Sequence, residues 1–133
     1  MSVYVTDTHP LVWFTLNKRQ NLSAKVRAAF ESAEAAQSFI YVPAIVLWET
    51  ALLERAGRIK LNGGFSGWAA AILGNPGFGL APLDVEIIAL GAGYNFNGDP
   101  FDETIAAYAA HLDVPLITKD TAITNSGLVE IYW

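Results

Sequence analysis

The chain is 133 residues long, with 53% hydrophobic residues, 16% charged residues, a formal net charge of −5 and no cysteine. That length supports one domain with its own core, and the missing cysteines exclude disulfides and thiolate metal sites. The acidic balance argues against a general nucleic-acid binder, which carries a basic excess, while the apolar surplus fits either a heavily covered sheet or a surface that meets a partner.

The opening MSVYVTDTHP lacks the basic region and apolar core of a secretory signal. Val3 to Thr6 is a β-branched run that predicts a strand ending at Asp7. His9 to Leu16 is apolar and predicts a short buried helix. Ser23 can cap a helix to about Gln37, with Val26, Phe30 and Ala33 at helical spacing. Phe39 to Val42 is a second strand, and Pro43 suits the first turn of a helix that Gly57 closes. The longest apolar run, Phe39 to Trp48, contains Pro43 and falls short of the about 18 residues that a membrane helix needs, so a cytoplasmic protein is expected. Gly63, Gly64 and Gly67 predict a loop before a short helix from Trp68 to Leu73, and Asn75-Pro76-Gly77 a turn. A third strand follows at Leu80 to Pro82, then a helix capped by Asp84 and running to about Leu90. Asn95 to Pro100 is a loop, Asp102 to His111 a helix, and Val114 to Thr118 and Val129 to Tyr132 are the last two strands. Strands alternating with helices predict one three-layer α/β domain: a parallel sheet with helices on both faces.

Several carboxylates need a reason. No Lys or Arg occurs between Lys60 and Lys119, whereas that stretch holds Asp84, Glu86, Asp99, Asp102, Glu103 and Asp113. Crowded acids repel one another unless water or a bound cation separates them. Solvated surface suffices for Glu86 and Asp113. Asp7 and Asp120 follow the first and fourth strands, where open α/β sheets bind ligands; either alone is equally a turn former or helix cap. Glu49 is the only charge within Ala44 to Leu53. It lies either on an exposed stripe with Thr50 and Arg55 or in a partly buried site, and burial without a partner is costly. Asp99-Pro100-Phe101-Asp102-Glu103 opens a helix whose dipole favours acids, by roughly 0.3–1 kcal/mol each. Three acids exceed what capping requires. Such acids suit Mg²⁺, which takes oxygen ligands and keeps waters. No phosphate-binding glycine loop, histidine metal pair or serine elbow competes with that reading.

The order of these acids resembles the PIN-domain pattern, and above all ribonuclease toxins of the VapC type in the subgroup whose third motif reads D-P-F-D. The resemblance is carried by V-T-D-T-H around Asp7, L-W-E-T-A around Glu49, D-P-F-D-E-T-I-A-A-Y-A from Asp99, and L-I-T-K-D ending at Asp120. It covers nearly the whole chain. It implies a single PIN-like domain over residues 1–133, with a central parallel sheet of about five strands and an acid pocket at one edge. It also implies Mg²⁺- or Mn²⁺-dependent RNA cleavage and a homodimer inhibited by a small antitoxin. Asp7, Glu49, Asp102 and Asp120 take the places of the four acids, and Asp99 that of an extra acid that supports them. The chain departs from the subgroup before D-P-F-D, where Asn97-Gly98 replaces a His-Arg pair. It departs again at Glu103, which replaces Arg, and at Pro43-Ala44, which replaces the customary Ser.

On this reading Asp7, Asp102 and Asp120 hold the metal while Glu49 orients or deprotonates the attacking water. Lys119, Arg55 and Arg58 are the first candidates for RNA contact, with Lys18, Arg19 and Lys60 further out. Trp13, Phe14, Trp48 and Trp68 are expected in the core, or against a dimer mate or antitoxin. Two alternatives stand beside it: another Mg²⁺-dependent phosphoesterase with Asp7 as phosphoryl nucleophile, and a non-catalytic PIN-like binding module whose acids only cap helices.

Overall fold

In a computed structural model that describes residues 1–133, five strands form one parallel sheet in the order β3-β2-β1-β4-β5. They are β1 (Val3–Thr6), β2 (Phe39–Pro43), β3 (Phe78–Ala81), β4 (Leu116–Ile117) and β5 (Ile131–Tyr132). In β1 the consecutive residues Tyr4, Val5 and Thr6 are all buried. Successive side chains point to opposite faces of a strand, so both faces of the sheet are covered. Val3 pairs with Phe39 on one side of β1, and Thr6 with Ile117 on the other. That register sets the ends of β1 and β4 level.

Seven α-helices and a 3-10 turn at Arg19–Asn21 connect the strands: α1 (Thr8–Thr15), α2 (Ala24–Glu34), α3 (Ala44–Arg55), α4 (Gly64–Leu73), α5 (Val85–Gly93), α6 (Pro100–Leu112) and α7 (Thr121–Ser126). Side-chain caps start most of them, as short polar residues before a helix should. Asp7, Ser23, Asp84, Asp99 and Asp120 each accept a backbone N–H of the helix that follows. The core gathers Val5, Leu11, Phe14, Val26, Phe30, Ile40, Val42, Ile87, Ile105, Tyr108, Leu116 and Ile117 into one cluster.

Several boundaries differ from the sequence reading. α4 begins at Gly64, so Gly64 and Gly67 are helical rather than loop; burial of Trp68 and Ile72 outweighs the low helix propensity of glycine. α2 stops at Glu34, short of Gln37, because Ala36 turns left-handed at φ 58°. α5 runs on to Gly93, and α6 starts at Pro100, the proline-favoured first position. β4 and β5 pair over only two residues each, and the polar α7 was not foreseen. No helix is long and apolar enough to cross a membrane.

Candidate functional site: a carboxylate pocket

β1 and β4 are the neighbours at which the sheet changes winding direction, since β2 and β3 lie to one side and β5 to the other. Open α/β sheets receive ligands outside the carboxyl ends of such strands. Asp7 directly follows β1, and Thr118-Lys119-Asp120 directly follow β4. The two ends are tied by the Asp7 N–H, which donates to the Ile117 carbonyl at 2.9 Å. Here opens a cavity of about 540 Å³ lined by Asp7, Glu49, Asp99, Asp102 and Asp120, with His9, Trp13 and Lys119 completing the wall.

Two threonines organise the acids. Asp7, 8% exposed, accepts the Thr8 N–H on Oδ1 at 2.7 Å and the Thr118 hydroxyl on Oδ2 at 2.6 Å. The Thr118 hydroxyl oxygen also accepts the Asp120 N–H at 3.0 Å, which ties the β4 end to Asp7. Thr8 donates its hydroxyl to Glu49. Glu49 is therefore partly buried and oriented, not part of an exposed stripe. Thr50, expected beside it in water, is fully buried and donates to the Val46 carbonyl at 2.8 Å. Of that expected stripe only Arg55 is exposed.

The loop before α6 shapes the other wall. Asp99 caps the helix, its Oδ1 accepting from Phe101 N–H at 2.8 Å and from Asp102 N–H at 3.4 Å. Asp120 caps α7 through Oδ1 at 2.9 Å from the Ile123 N–H. Each cap engages one oxygen, so capping and pocket lining are compatible roles for one carboxylate. Asp102 accepts the Asn97 amide at 2.9 Å. Glu103 turns the other way: it is buried, and its Oε2 accepts the N–H groups of Phe96 at 3.2 Å and Gly98 at 3.4 Å. It braces the loop and does not line the pocket.

Electrostatics follow from this crowding. Burial raises the Asp7 carboxyl above its usual range; the Thr118 and Thr8 hydrogen bonds oppose the shift, the Glu49 charge adds to it, and His9 relieves it. Burial likewise pushes Asp102 up to about 7, opposed by the Asn97 amide and reinforced by the charges of Asp99, Asp120 and Asp7. Two carboxyls raised mainly by burial, and further by neighbouring like charges, mark this cleft as a candidate functional site. No three of these side chains converge into a ready-made ligand set. Mg²⁺ does not require one, because it keeps several waters and uses one or two carboxylates plus substrate oxygens. An oxygen-only donor set with excess negative charge around an open cavity fits such an ion.

Of the basic residues singled out from sequence, only Lys119 lines the pocket. Arg55 lies toward the end of α3, about 9 Å along the helix from Glu49 at 1.5 Å per residue, and lines a separate apolar groove with Ala44, Leu47, Trp48, Ala51, Leu52 and Phe65. Arg58 is exposed beyond the end of α3, away from the acids. Trp48, expected in the core or against a partner, is 64% exposed in the single chain, and Trp13 is only half-buried, whereas Phe14 and Trp68 are buried. Sequence reasoning passed over Thr8, Thr118 and Asn97. The one available signal is that threonines adjoin the acids at both strand ends, in V-T-D-T and I-T-K-D.

An open parallel α/β domain with a carboxylate pocket at the reversal of its sheet defines the class to which the comparisons point. Residues 4–126 match the PIN domain, and the chain belongs to that family. No curated protein matches the chain. Among solved structures, VapBC2 from Rickettsia felis bound to a promoter DNA fragment superposes with a TM-score of 0.67 at 14% identity, covering 98% of this chain and 97% of that one. FitAB bound to the IR36 DNA fragment gives 0.64 at 22% identity, covering 97% and 93%. FitAcB from Neisseria gonorrhoeae gives 0.63 at 23% identity, covering 98% and 96%. At these identities the likeness is one of fold.

Proposed function

We propose that this PIN domain is a divalent-metal-dependent endoribonuclease, the toxin of a toxin–antitoxin pair. The observation that carries the reading is the convergence of Asp7, Glu49, Asp99, Asp102 and Asp120, from four separate stretches of chain, on one cavity at the sheet's switch point. In this reading Asp7, Asp102 and Asp120 hold Mg²⁺ or Mn²⁺, with Asp99 supporting them from the start of α6. A divalent ion, when bound, supplies charge neutralisation at the scissile phosphate and acidifies the attacking water. Glu49, aligned by the Thr8 hydroxyl, receives the water's proton. Thr118 holds Asp7 and the backbone of Asp120 in one arrangement, so the acids need not reorganise when substrate arrives.

RNA as substrate and a small antitoxin as inhibitor rest on the likeness of motif order to VapC-type toxins, the D-P-F-D subgroup included. Solved structures of similar fold include the complexes VapBC2 and FitAB, each bound to DNA, which supports a partner protein for this chain too. The chain has apolar surface to offer. One part is the groove of about 460 Å³ around Trp48, and another is formed by Val85 and Ile88 on α5 with Leu80 and Leu83 before it. A homodimer and an antitoxin together would cover both. The alternative of Asp7 as phosphoryl nucleophile fits less well, because such chemistry uses a second Asp close behind the first and Thr8-His9 supplies none.

Cleavage of RNA by purified variants at fixed Mg²⁺ tests the proposal. Asp102→Asn and Asp7→Asn should fold yet lose activity on the order of 100-fold or more, while Glu86→Gln, at an exposed acid on α5, should change nothing. Mg²⁺ or Mn²⁺ should raise the melting temperature by several degrees over EDTA, following RT ln(1 + [L]/Kd). Wild-type activity in Asp102→Asn would refute the site. Hydrolysis of small phosphoesters without RNA cleavage would identify the other enzyme class, and indifference to metal the binding module.

A further inference from the structure

At and beside the pocket wall stands a group of side chains, two of whose indoles pack partly against the core and stay half open. Trp13, on α1, stands within 5.8 Å of the His9 ring and 6.4 Å of the Trp133 ring, centroid to centroid. Lys119 lies with Nζ 5.2 Å from the Trp13 ring centre and 5.8 Å from that of Trp133. Trp68 shows what a core indole does here: it is buried and its Nε1–H donates to Thr15 at 2.9 Å. Trp13 and Trp133 are only half-buried, and Trp13 with His9 and Lys119 faces the cavity that holds the carboxylates.

We infer that Trp13, Trp133 and His9 form a stacking ledge at the mouth of the acid pocket, which receives the base of the nucleotide next to the cleaved phosphate, with Lys119 on the phosphate. The inference rests on the nuclease reading and adds to it which side chains hold the base beside the cleaved phosphate. Lys119 is the only lysine or arginine lining the cavity, yet it forms no ion pair with any carboxylate there. It rests on the indoles instead. An exposed ammonium on four methylenes moves from ring face to phosphate at little cost, and in moving it clears the face on which a base stacks.

Charge makes the ledge necessary. A chain of net charge −5 with five acids in one pocket has little long-range attraction for a polyanion. Short-range contacts must supply the affinity, and base–aromatic stacking is the strongest available contact that needs no positive charge. A base inside a duplex is already covered on both faces by its neighbours and cannot reach an indole. The ledge therefore makes the pairing state of that nucleotide the condition for cleavage, whatever its identity.

Three synthetic RNAs of one sequence test this: single-stranded, annealed to a complement, and carrying an abasic residue beside the cleavage position. Binding is read in EDTA by quenching of tryptophan fluorescence, and cleavage in Mg²⁺. The abasic strand keeps the phosphates and lacks one base, so its cleavage reports the acid pocket without stacking at that position. The single strand should bind and be cleaved better than the duplex or the abasic strand. Trp13→Leu and Trp133→Leu should each lower kcat/KM on the single strand by roughly 5- to 150-fold, and lower it much less on the abasic strand. Trp13→Phe, which keeps a π-face, should recover part of the loss. Lys119→Gln should reduce the slope of log affinity against log salt by about 1. Full RNA activity in folded Trp13→Leu, or equal cleavage of duplex and single strand, overturns the ledge and leaves the nuclease reading standing. Equal loss on the intact and the abasic strand also overturns it, since Trp13 then only shapes the pocket. If the wild-type protein cleaves none of the three RNAs in Mg²⁺, the nuclease reading fails and the ledge with it.

Discussion

Burial and the charges of Asp99, Asp120 and Asp7 hold the Asp102 carboxyl at about 7, although the Asn97 amide works against the shift. Such a group is protonated in the folded chain over a range in which the unfolded chain has already ionised it. Between roughly 4, the ordinary carboxylate value, and about 7 the native state therefore binds more protons. Stability of the metal-free protein should fall as pH rises through that window, with no penalty below it and the full penalty above it. Asp102→Asn should flatten the fall, which thermal melts from pH 4 to pH 8 in EDTA would show. Asp7 is raised in the same direction and leaves a residual slope. An unaltered slope in Asp102→Asn would remove this residue as the source. A divalent ion bound as proposed would compete with the same proton, so its affinity should rise with pH across the same interval.

Two helices and one loop set the position of that carboxyl. α5 and α6 approach closely at Gly91, where an added Cβ would stand 3.2 Å from the Thr104 Cα. The residues between the helices have little hydrophobic anchoring of their own beyond Tyr94 and Phe96. Their backbone is held from within α6, by the Glu103 carboxylate on the N–H groups of Phe96 and Gly98. Replacing Glu103 by Ala leaves two donors without their acceptor, at a cost of about 1–3 kcal/mol each where water cannot reach them. Glu103→Ala should therefore lower the denaturation midpoint and speed amide exchange at Phe96 and Gly98, while Glu103→Gln keeps an acceptor and most of the stability. Protection at those amides unchanged in Glu103→Ala would show that the brace does not hold the loop. On α3 the same scale matters for Glu49, whose one-turn neighbour Val46 is fully buried while Trp48 points outward at 64% exposure.

For the whole molecule, the accessible surface is 6757 Å² for a 14.4 kDa chain, close to the roughly 6,800 Å² expected of a compact monomer of that mass. The apolar surplus is therefore not accommodated by an unusual shape. It lies partly in the covered sheet and partly outside, at Trp48, Leu80, Leu83, Val85 (80% exposed), Ile88 and Leu128. Exposed groups of this kind mark interaction surfaces. The chain alone should be a symmetric dimer at micromolar concentration, and light scattering should return twice the 14.4 kDa chain mass. A purely monomeric solution without a partner protein would sink the expectation.

What the sequence determined by itself is local and short-range. The caps at Ser23 and Asp84 and the strand runs of β1 and β2 each depend on a few adjacent residues, and each could be read along the chain, whereas the start of α6 at Pro100 and the helix that Asp120 caps were not read. The order of acids was legible too, because carboxylates at strand ends and helix starts stand out where the surrounding residues are apolar. Which way α3 faces was not legible: Ala44 to Leu53 is apolar nearly all round, and periodicity needs contrast to point anywhere. Only packing decided that Thr50 is buried, Trp48 exposed and Glu49 turned to Thr8. Tertiary structure likewise split the two acids at the start of α6, one into the pocket and one onto the loop backbone. Asp102 and Glu103 are adjacent in sequence, but successive helical residues lie about 100° apart around the axis, and what each meets there is set by elements far away along the chain.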